Sequence, residues 1–301
     1  MIRYNGCVLA FVAAVMHPEF SADYARVEDL LERTLRSVCA QRDRAFRVVV
    51  VGNRAPRFAM PAQTEFVEVD FPLPHPRSRG WSLETGLDKG TKVAVGILAA
   101  MRHAPDHIMV FDADDFVSDR LAGFTNQDPG ANGWYVTDGY AYSDAHRIIR
   151  RISGFHDACG TSIIVNSRLY DIPDLPITAT QAELEEGFGS FTVRELLGNH
   201  RETVGHFAAA GTPLRPLPFP GAVYTLATGQ NWSARGMDNF AVPVRPGLAR
   251  EFGLPMSSTD PRAATRSAQI FVRAVQRRLR RWTLPRRSPP GRDRSADGAG
   301  A

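Results

Sequence analysis

Three carboxylates within four positions, Asp112, Asp114 and Asp115, end the run His107-Ile108-Met109-Val110-Phe111-Asp112-Ala113-Asp114-Asp115-Phe116. The apolar residues Ile108 to Phe111 suit one short buried strand. On a strand, alternate side chains share a face, which would project Asp112 and Asp114 together. A pair of carboxylates at that spacing attracts a hard divalent cation such as Mg²⁺ or Mn²⁺. In open α/β sheets, the C-terminal strand ends are also where ligands gather. A bare D-x-D is equally common in solvated acidic turns, so the surrounding elements must decide its meaning.

Those elements alternate. Val8 to Val15 is a first apolar run, stopped by His17-Pro18, since proline cannot donate to a strand ladder. A lead-in of this kind superficially resembles a short signal peptide, but it lacks a small-residue cleavage site, and a first buried strand is expected instead. From Ser21 to Gln41 the residues Tyr24, Val27, Leu31, Leu35 and Val38 recur every three or four positions. That predicts an amphipathic helix with Ser21 as N-cap. Phe46 to Val51 is a second strand ending at Gly52-Asn53, and Phe66 to Val69 a third ending at Asp70. Pro72 to Gly80 reads as a loop. Lys89 to His103 is a second helix, which delivers the chain to the Asp112 strand. This alternation predicts βαβ units and a mostly parallel sheet.

Beyond the carboxylates, Gly133 to Tyr142 and His146 to Arg151 read as strands of mixed polarity. Thr161 to Val165 is another buried strand, introduced by Cys159-Gly160. Thr178 to Gly189, acidic and glycine-bounded, reads as a mobile loop. Phe191 to Ala210 reads as one helix closed by Gly211. Pro213 to Pro220 is extended and Ala222 to Leu226 a last strand.

The 301 residues are 44% hydrophobic and 23% charged, enough apolar material for a real core. No run approaches the ~18 apolar residues of a membrane span. Cys7, Cys39 and Cys159 lack metal-type spacing and read as buried thiols in a reducing, cytoplasmic compartment. The net charge of +4 hides an asymmetry. Residues 262–294 hold eleven arginines and one acid, a balance of +10 that leaves the rest of the chain at −6. Within this segment Ile270, Phe271, Ala274, Val275, Leu279 and Trp282 form one helical stripe. The expected organisation is one folded domain over 1–254, a linker over 255–264, a basic amphipathic helix over 265–284 and a disordered tail over 285–301. Such a helix could lie on an anionic membrane surface, at the inner face of the cytoplasmic membrane, or pack on the domain. Arginine-rich tails also attract nucleic acid nonspecifically, but no base-reading motif is present, so no specific nucleic-acid partner is expected.

The order of these pieces resembles the GT-A type of nucleotide-sugar glycosyltransferase, most nearly the bacterial family 2 group. The resemblance runs from about Val8 to Ser233. Thr34-Leu35-Arg36-Ser37-Val38-Cys39-Ala40-Gln41 followed by Phe46 to Val51 looks like that family's first helix and second strand. Asp112-Ala113-Asp114 stands where the family keeps its D-x-D. Gly211, Pro216-Leu217-Pro218 and Tyr224 look like its closing helix-to-strand passage. The resemblance implies an α/β GT-A (Rossmann-like) fold and transfer of a sugar from a nucleoside-diphosphate donor to an acceptor hydroxyl, on a glycan or a lipid-linked carrier. It also implies Mn²⁺ or Mg²⁺ as cofactor, acting as a Lewis acid on the departing diphosphate. Asp112 and Asp114 would be metal ligands, Asp112 also near the donor, with Asp115 orienting those two carboxylates or the donor ribose or sugar. His17, Asn53 and Asp70 at the strand ends, and Lys92 near the phosphates, would complete the donor contacts.

The sequence also departs from the family. Gly52-Asn53 replaces the usual Asp pair that reads the base. Twelve residues before Gly211, where the family carries Glu-Asp with a general base, stand Asn199-His200. His200 is expected as third metal ligand or as base, with His206 in reserve. Glu195, Glu185 and Glu186 are the remaining candidates for the base, Glu195 lying about one helical turn before His200. Three other classes compete. A nucleotidyltransferase should show a glycine-rich basic loop after the first strand, where this chain has His17-Pro18-Glu19. An aspartyl-phosphate phosphatase or mutase should carry its D-x-D on the first strand. A GT-A-like domain could also bind a glycan or partner without turnover.

Overall fold

The computed structural model describes residues 9–74, 83–144, 147–226 and 241–255. Strand β1 (Leu9–Ala14) is buried on both faces because a helix covers each side. Phe11 and Ala13 point to the layer that holds Val27, Leu31, Leu35 and Val38 of α1 (Tyr24–Val38). Ala10 and Val12 point the other way, to Val93, Ile97 and Ala100 of α2 (Leu83–Met101). β2 (Phe46–Gly52), β3 (Thr64–Glu68) and β4 (His107–Asp112) join β1 in parallel. Two-sided burial explains why β1, β2 and β4 read as continuous apolar runs rather than alternating ones. Each fully buried Val, Leu, Ile or Phe there contributes roughly 1.5–3 kcal/mol.

After β4 come β5 (Phe116–Val117), α3 (Leu121–Thr125), β6 (Gly133–Tyr135), β7 (Asp138–Ser143), β8 (Ile148–Ser153), α4 (Phe155–Ala158) and β9 (Ile163–Asn166). The chain continues through α5 (Gln181–Phe188), a π-helical turn at Thr192–Leu197, α6 (Thr203–Ala209), β10 (Arg215–Pro216), β11 (Ala222–Leu226), β12 (Val242–Pro243) and α7 (Pro246–Phe252). The central sheet has the order β10-β6-β9-β4-β1-β2-β3, with β9 antiparallel to both β4 and β6. A second sheet, β12-β8-β7-β11-β5, packs Phe116, Tyr142, Ile149 and Val223 against Phe252 and Ala249 of α7. This is an α/β fold with a mostly parallel central sheet flanked by helices, as the alternating pattern predicts.

Several expectations are corrected. The run Gly133 to Tyr142 is two strands, not one: β6 joins the central sheet and β7 the second. At Gly133 (φ +137°) a Cβ would meet Ile164 O at 2.1 Å, so only glycine lets β6 approach β9. Thr178 to Gly189 is not a loop throughout, because Thr180 and Glu183 form a reciprocal capping box that starts α5. Phe191 to Ala210 is not one helix. It is the π turn, a break at Gly198–Glu202, and then α6. Gly211 does close that helix, at φ +74° with Thr212 N–H donating to Phe207 O. The N-cap of α1 is Asp23, whose Oδ1 accepts from Arg26 N–H, while Ser21 Oγ accepts from Asp23 N–H. Helix α2 starts at Leu83, ahead of the expected Lys89. Among the described residues no helix is long and apolar enough to cross a membrane. The basic helix over 265–284 and the tail over 285–301 lie outside the described residues.

Candidate active site at the strand ends

Ala14 pairs with both Val51 and Asp112, so β1, β2 and β4 finish level with one another. The chain leaving β1 runs through Val15, Met16 and His17 directly beside the end of β4. Here lies a cavity of about 400 Å³. Its wall includes the polar side chains Lys89, Asp112, Asp114, His200 and His17 and the apolar ones Met16, Phe20, Val27, Leu30 and Pro74.

Asp112 and Asp114 both reach this cavity, but not through strand alternation. β4 stops at Asp112, and Asp115 N–H donates to Asp112 O at 3.2 Å, closing a turn. The turn swings Asp114 to the cavity and sends Asp115 inward, where it is fully buried. Asp115 Oδ2 accepts from Thr161 Oγ1 (2.6 Å) and Cys159 Sγ (3.0 Å), and its Oδ1 accepts from Thr225 N–H (3.0 Å). Thr161 Oγ1 in turn accepts from Asp112 N–H at 2.9 Å, tying the two aspartates together. Burial, and then the negative charges of Asp114 and Asp112, push the Asp115 carboxyl well above the ordinary aspartate range. Asp115 therefore supports the turn from behind and does not line the cavity, which fits the alternative in which it orients the other two carboxylates.

Asp112 carries the opposite environment. Its Oδ1 accepts from Lys89 Nζ at 2.5 Å, each side chain about 30% exposed. Burial works against its charge, but Lys89, His200 and the Gly160 N–H outweigh it and hold the carboxyl below its ordinary value. A Cβ at Gly160 would sit 2.8 Å from Asp112 Oδ2, so glycine is what allows the backbone this close. Lys89 itself is held above the ordinary lysine value: burial opposes its charge, and Asp112 more than compensates.

His200 follows the break after the π turn. Burial, and then the nearby Lys89 charge, lower its imidazole to about 4, while a hydrogen bond to the Asp157 backbone works the other way. Its Nε2 is buried and makes no hydrogen bond. The ring proton is thus on Nδ1, toward Asp157, and the Nε2 lone pair is free at neutral pH.

The remaining expected residues stand elsewhere. Lys92 is fully buried and donates to Asp88 Oδ2 (2.9 Å) and Val15 O (3.0 Å), so its amine supports the β1 exit rather than meeting phosphates. Asn53 Nδ2 donates to Phe71 O at 2.8 Å and lies off the cavity wall, as does the exposed Asp70. Glu195 and His206 are likewise not part of the wall. Glu195 accepts from Asn199 Nδ2 at 3.5 Å, and His206 is exposed beside Phe191. Glu185 pairs with Arg194 and Glu186 is exposed. Lys89 and Gly160 are the cavity positions beside Asp112 that sequence reasoning missed. The Asp88 and Lys92 spacing of four was a legible signal that Lys92 has a helical partner, leaving Lys89 for the cavity.

Among the described residues, one group of three His, Cys, Asp or Glu side chains has donor atoms within 4.8 Å of one another: Asp112, Asp115 and Cys159. This acidic and thiol cluster could hold a metal. However, burial and then Asp115 hold the Cys159 thiol well above its ordinary value, and it donates to Asp115, so both groups are better suited to keeping protons. The ionised Asp112 and the unpartnered Nε2 of neutral His200 supply donors that fit Mn²⁺ or Mg²⁺ better. Asp114 and His200 lie outside the 4.8 Å group, so a shared ion would have to draw them toward Asp112.

No protein-family model matches the sequence, and no curated protein matches it. Distant likenesses exist among solved structures. A structure of S. aureus TarS, residues 1–349, is 12% identical with a TM-score of 0.39, covering 72% of this chain and 60% of that one. The chain therefore spans less than two thirds of that structure. The 4-diphosphocytidyl-2C-methyl-D-erythritol synthase of Anaerococcus prevotii is 11% identical, with a TM-score of 0.36 and coverage of 71% and 87%. Rv0371C of Mycobacterium tuberculosis, in complex with manganese, is 11% identical, with a TM-score of 0.33 and coverage of 73% and 91%. Likenesses this remote transfer no residue and no activity.

Proposed function

We propose that the chain is a glycosyltransferase that takes a nucleoside-diphosphate sugar as donor, with Mn²⁺ or Mg²⁺, and passes the sugar to an acceptor hydroxyl. The observation that carries this is that Asp112, Asp114, Lys89 and His200 line one cavity together with the apolar Met16, Phe20, Val27 and Leu30. In this reading the nucleoside lies against Met16, Phe20, Val27 and Leu30, and its diphosphate lies against Asp112, Asp114 and Lys89. A divalent cation, when bound, neutralises charge on the departing diphosphate. Asp112 and Asp114 orient that end of the donor, and Lys89 adds a positive charge beside it. His200, neutral with Nε2 free, serves as third ligand; among the described residues of the cavity wall it is also the group best able to take the acceptor proton.

The test is a binding and donor-hydrolysis panel of nucleotide sugars with and without Mn²⁺. Asp112→Ala and Asp114→Ala should each lose metal-dependent binding by at least ~30-fold, a loss of about 2 kcal/mol. His200→Ala should weaken Mn²⁺ binding; a fall in turnover at unchanged Mn²⁺ affinity would reassign it as the base. The proposal fails if no nucleotide sugar binds in a metal-dependent way. The proposed acceptor is a cell-envelope glycan or a lipid-linked carrier at an anionic membrane surface, supported by the +10 balance of residues 262–294. Flotation with anionic liposomes should separate the full chain from a truncation before Thr265, and equal flotation would remove the membrane contact.

A further inference from the structure

Lys89 already occupies the place on Asp112 that a divalent cation would need. Its ammonium sits 2.5 Å from Asp112 Oδ1. The other carboxylate oxygen lies against the Gly160 backbone, where even a Cβ would be 2.8 Å away, and Gly160 N–H hydrogen-bonds the carboxylate. A metal drawn to the Oδ1 side of Asp112 therefore competes with Lys89 for that oxygen.

The surroundings limit where a displaced Lys89 can go. Asp88 gives Oδ2 to Lys92, and its Oδ1 is buried without a partner. Asp115 accepts from Thr161, Cys159 and Thr225 and is sealed from the cavity. Lys89 is on the cavity wall and about 30% exposed, so its open direction is the cavity itself. That is where the diphosphate lies in the function proposed above, on which this inference rests.

We propose that Lys89 is an exchangeable cation. It holds Asp112 before the donor arrives, and it moves onto the donor's diphosphate when a divalent cation takes Asp112. The exchange makes metal and donor depend on one another. Metal alone must compete with the ammonium, whereas a diphosphate gives that ammonium a second partner. Coupling between two ligands of this sort is typically 5- to 150-fold.

The decisive measurement is Mn²⁺ binding with no nucleotide present, followed by electron paramagnetic resonance of the free ion. Lys89→Met and Lys89→Gln should bind Mn²⁺ alone about tenfold more tightly than wild type, because nothing competes at Asp112. In the presence of Mn²⁺ the same variants should bind UDP, GDP, ADP or dTDP, whichever wild type accepts, about tenfold more weakly. Lys89→Arg keeps a cation at the site and should bind Mn²⁺ as weakly as wild type, which separates loss of charge from loss of fold. Equal or weaker Mn²⁺ binding by the Met and Gln variants, with wild type still binding a metal–nucleotide pair, would overturn the exchange and leave the donor assignment standing. Absence of any metal-dependent nucleotide binding in wild type would overturn both.

Discussion

Asp115 and Asp112 sit three residues apart with opposite electrostatic fates, and the difference can be tested chemically. Asp115 is buried with its carboxyl pushed upward, so it takes up a proton on folding over a range where an unfolded aspartate is ionised. A raised folded-state value means that its contribution is complete below the ordinary aspartate range and is lost as pH rises through the folded value. Asp115→Asn should mimic the protonated acid, its carbonyl accepting from Thr225 N–H and its amide donating toward Thr161 or Cys159. We expect the Asn variant to fold with stability within about 1 kcal/mol of wild type and without that pH-dependent decline. Asp115→Ala leaves the Thr225 N–H unpartnered and should cost about 2–4 kcal/mol. Urea unfolding from pH 4 to 8 measures both, and equal losses for Asn and Ala would mean that Asp115 is held as the anion. At this scale the sequence was only partly legible. A D-x-D-D cluster announces carboxylate chemistry, but which member turns inward depends on Thr161, Cys159 and Thr225, all at least 44 positions away. Lys89 and Lys92 were likewise indistinguishable by type; only the packing of α2 against the exit of β1 buries one and exposes the other.

The elements that carry His200 to the cavity depend on three glycines. Gly86 and Gly90 lie one turn apart on α2, facing the π turn and Gly198. A Cβ at Gly90 would meet Val193 O at 1.9 Å, and one at Gly198 would meet Gly86 O at 2.2 Å. These clashes are with backbone, which cannot rotate away, so Gly90→Ala must push the π turn off α2. Overpacking of this kind costs about 1–3 kcal/mol. Because His200 lies two residues after Gly198, the same substitution should weaken Mn²⁺ binding without touching a ligand. Gly205→Ala on α6, whose added Cβ meets nothing within 4 Å, is the control and should be neutral or stabilising by up to ~1 kcal/mol through helix propensity. Thermal unfolding and Mn²⁺ titration of the pair decide the matter, and unchanged stability for Gly90→Ala would contradict the close packing. The strands β1, β2 and β4 were legible because burial on two faces leaves an unbroken apolar run. The π turn was not, since its side-chain spacing differs too little from that of an α-helix. Helix α5 was legible in principle, because the Thr180 and Glu183 capping box stands in the sequence, but two glycines and three glutamates suggested a loop.

At the scale of the molecule, the second sheet must be held against the half that carries the site. β11 supplies the Thr225 N–H to Asp115, and Tyr224 reaches the cavity wall. The principal clamp is Asp144, just after β7. Arg33 of α1 donates to both its oxygens at 2.8 and 2.6 Å, Arg26 adds a third bond at 3.3 Å, and Arg147 lies 3.5 Å away. The hydrogen bonds from Arg33 chiefly, opposed by partial burial, hold the Asp144 carboxyl far below its ordinary value. The pairing is bidentate and the aspartate is only 18% exposed, so it should count for more than a surface ion pair. Asp144→Ala leaves three arginines without their shared partner and should cost about 2–3 kcal/mol at pH 7, less than the loss of one partner from a fully buried pair. The sign follows from a depressed folded-state value: the contribution is complete above the unfolded aspartate value and disappears as pH falls through the folded one. Wild type and Asp144→Ala should therefore differ most near neutral pH, with the gap beginning to narrow below about pH 4. Asp144 does not line the cavity, so Mn²⁺-dependent nucleotide binding at neutral pH should survive while the thermal midpoint falls. A stability gap that stayed constant down to pH 3 would show that packing of the aspartate, rather than its charge on Arg33, joins the two sheets.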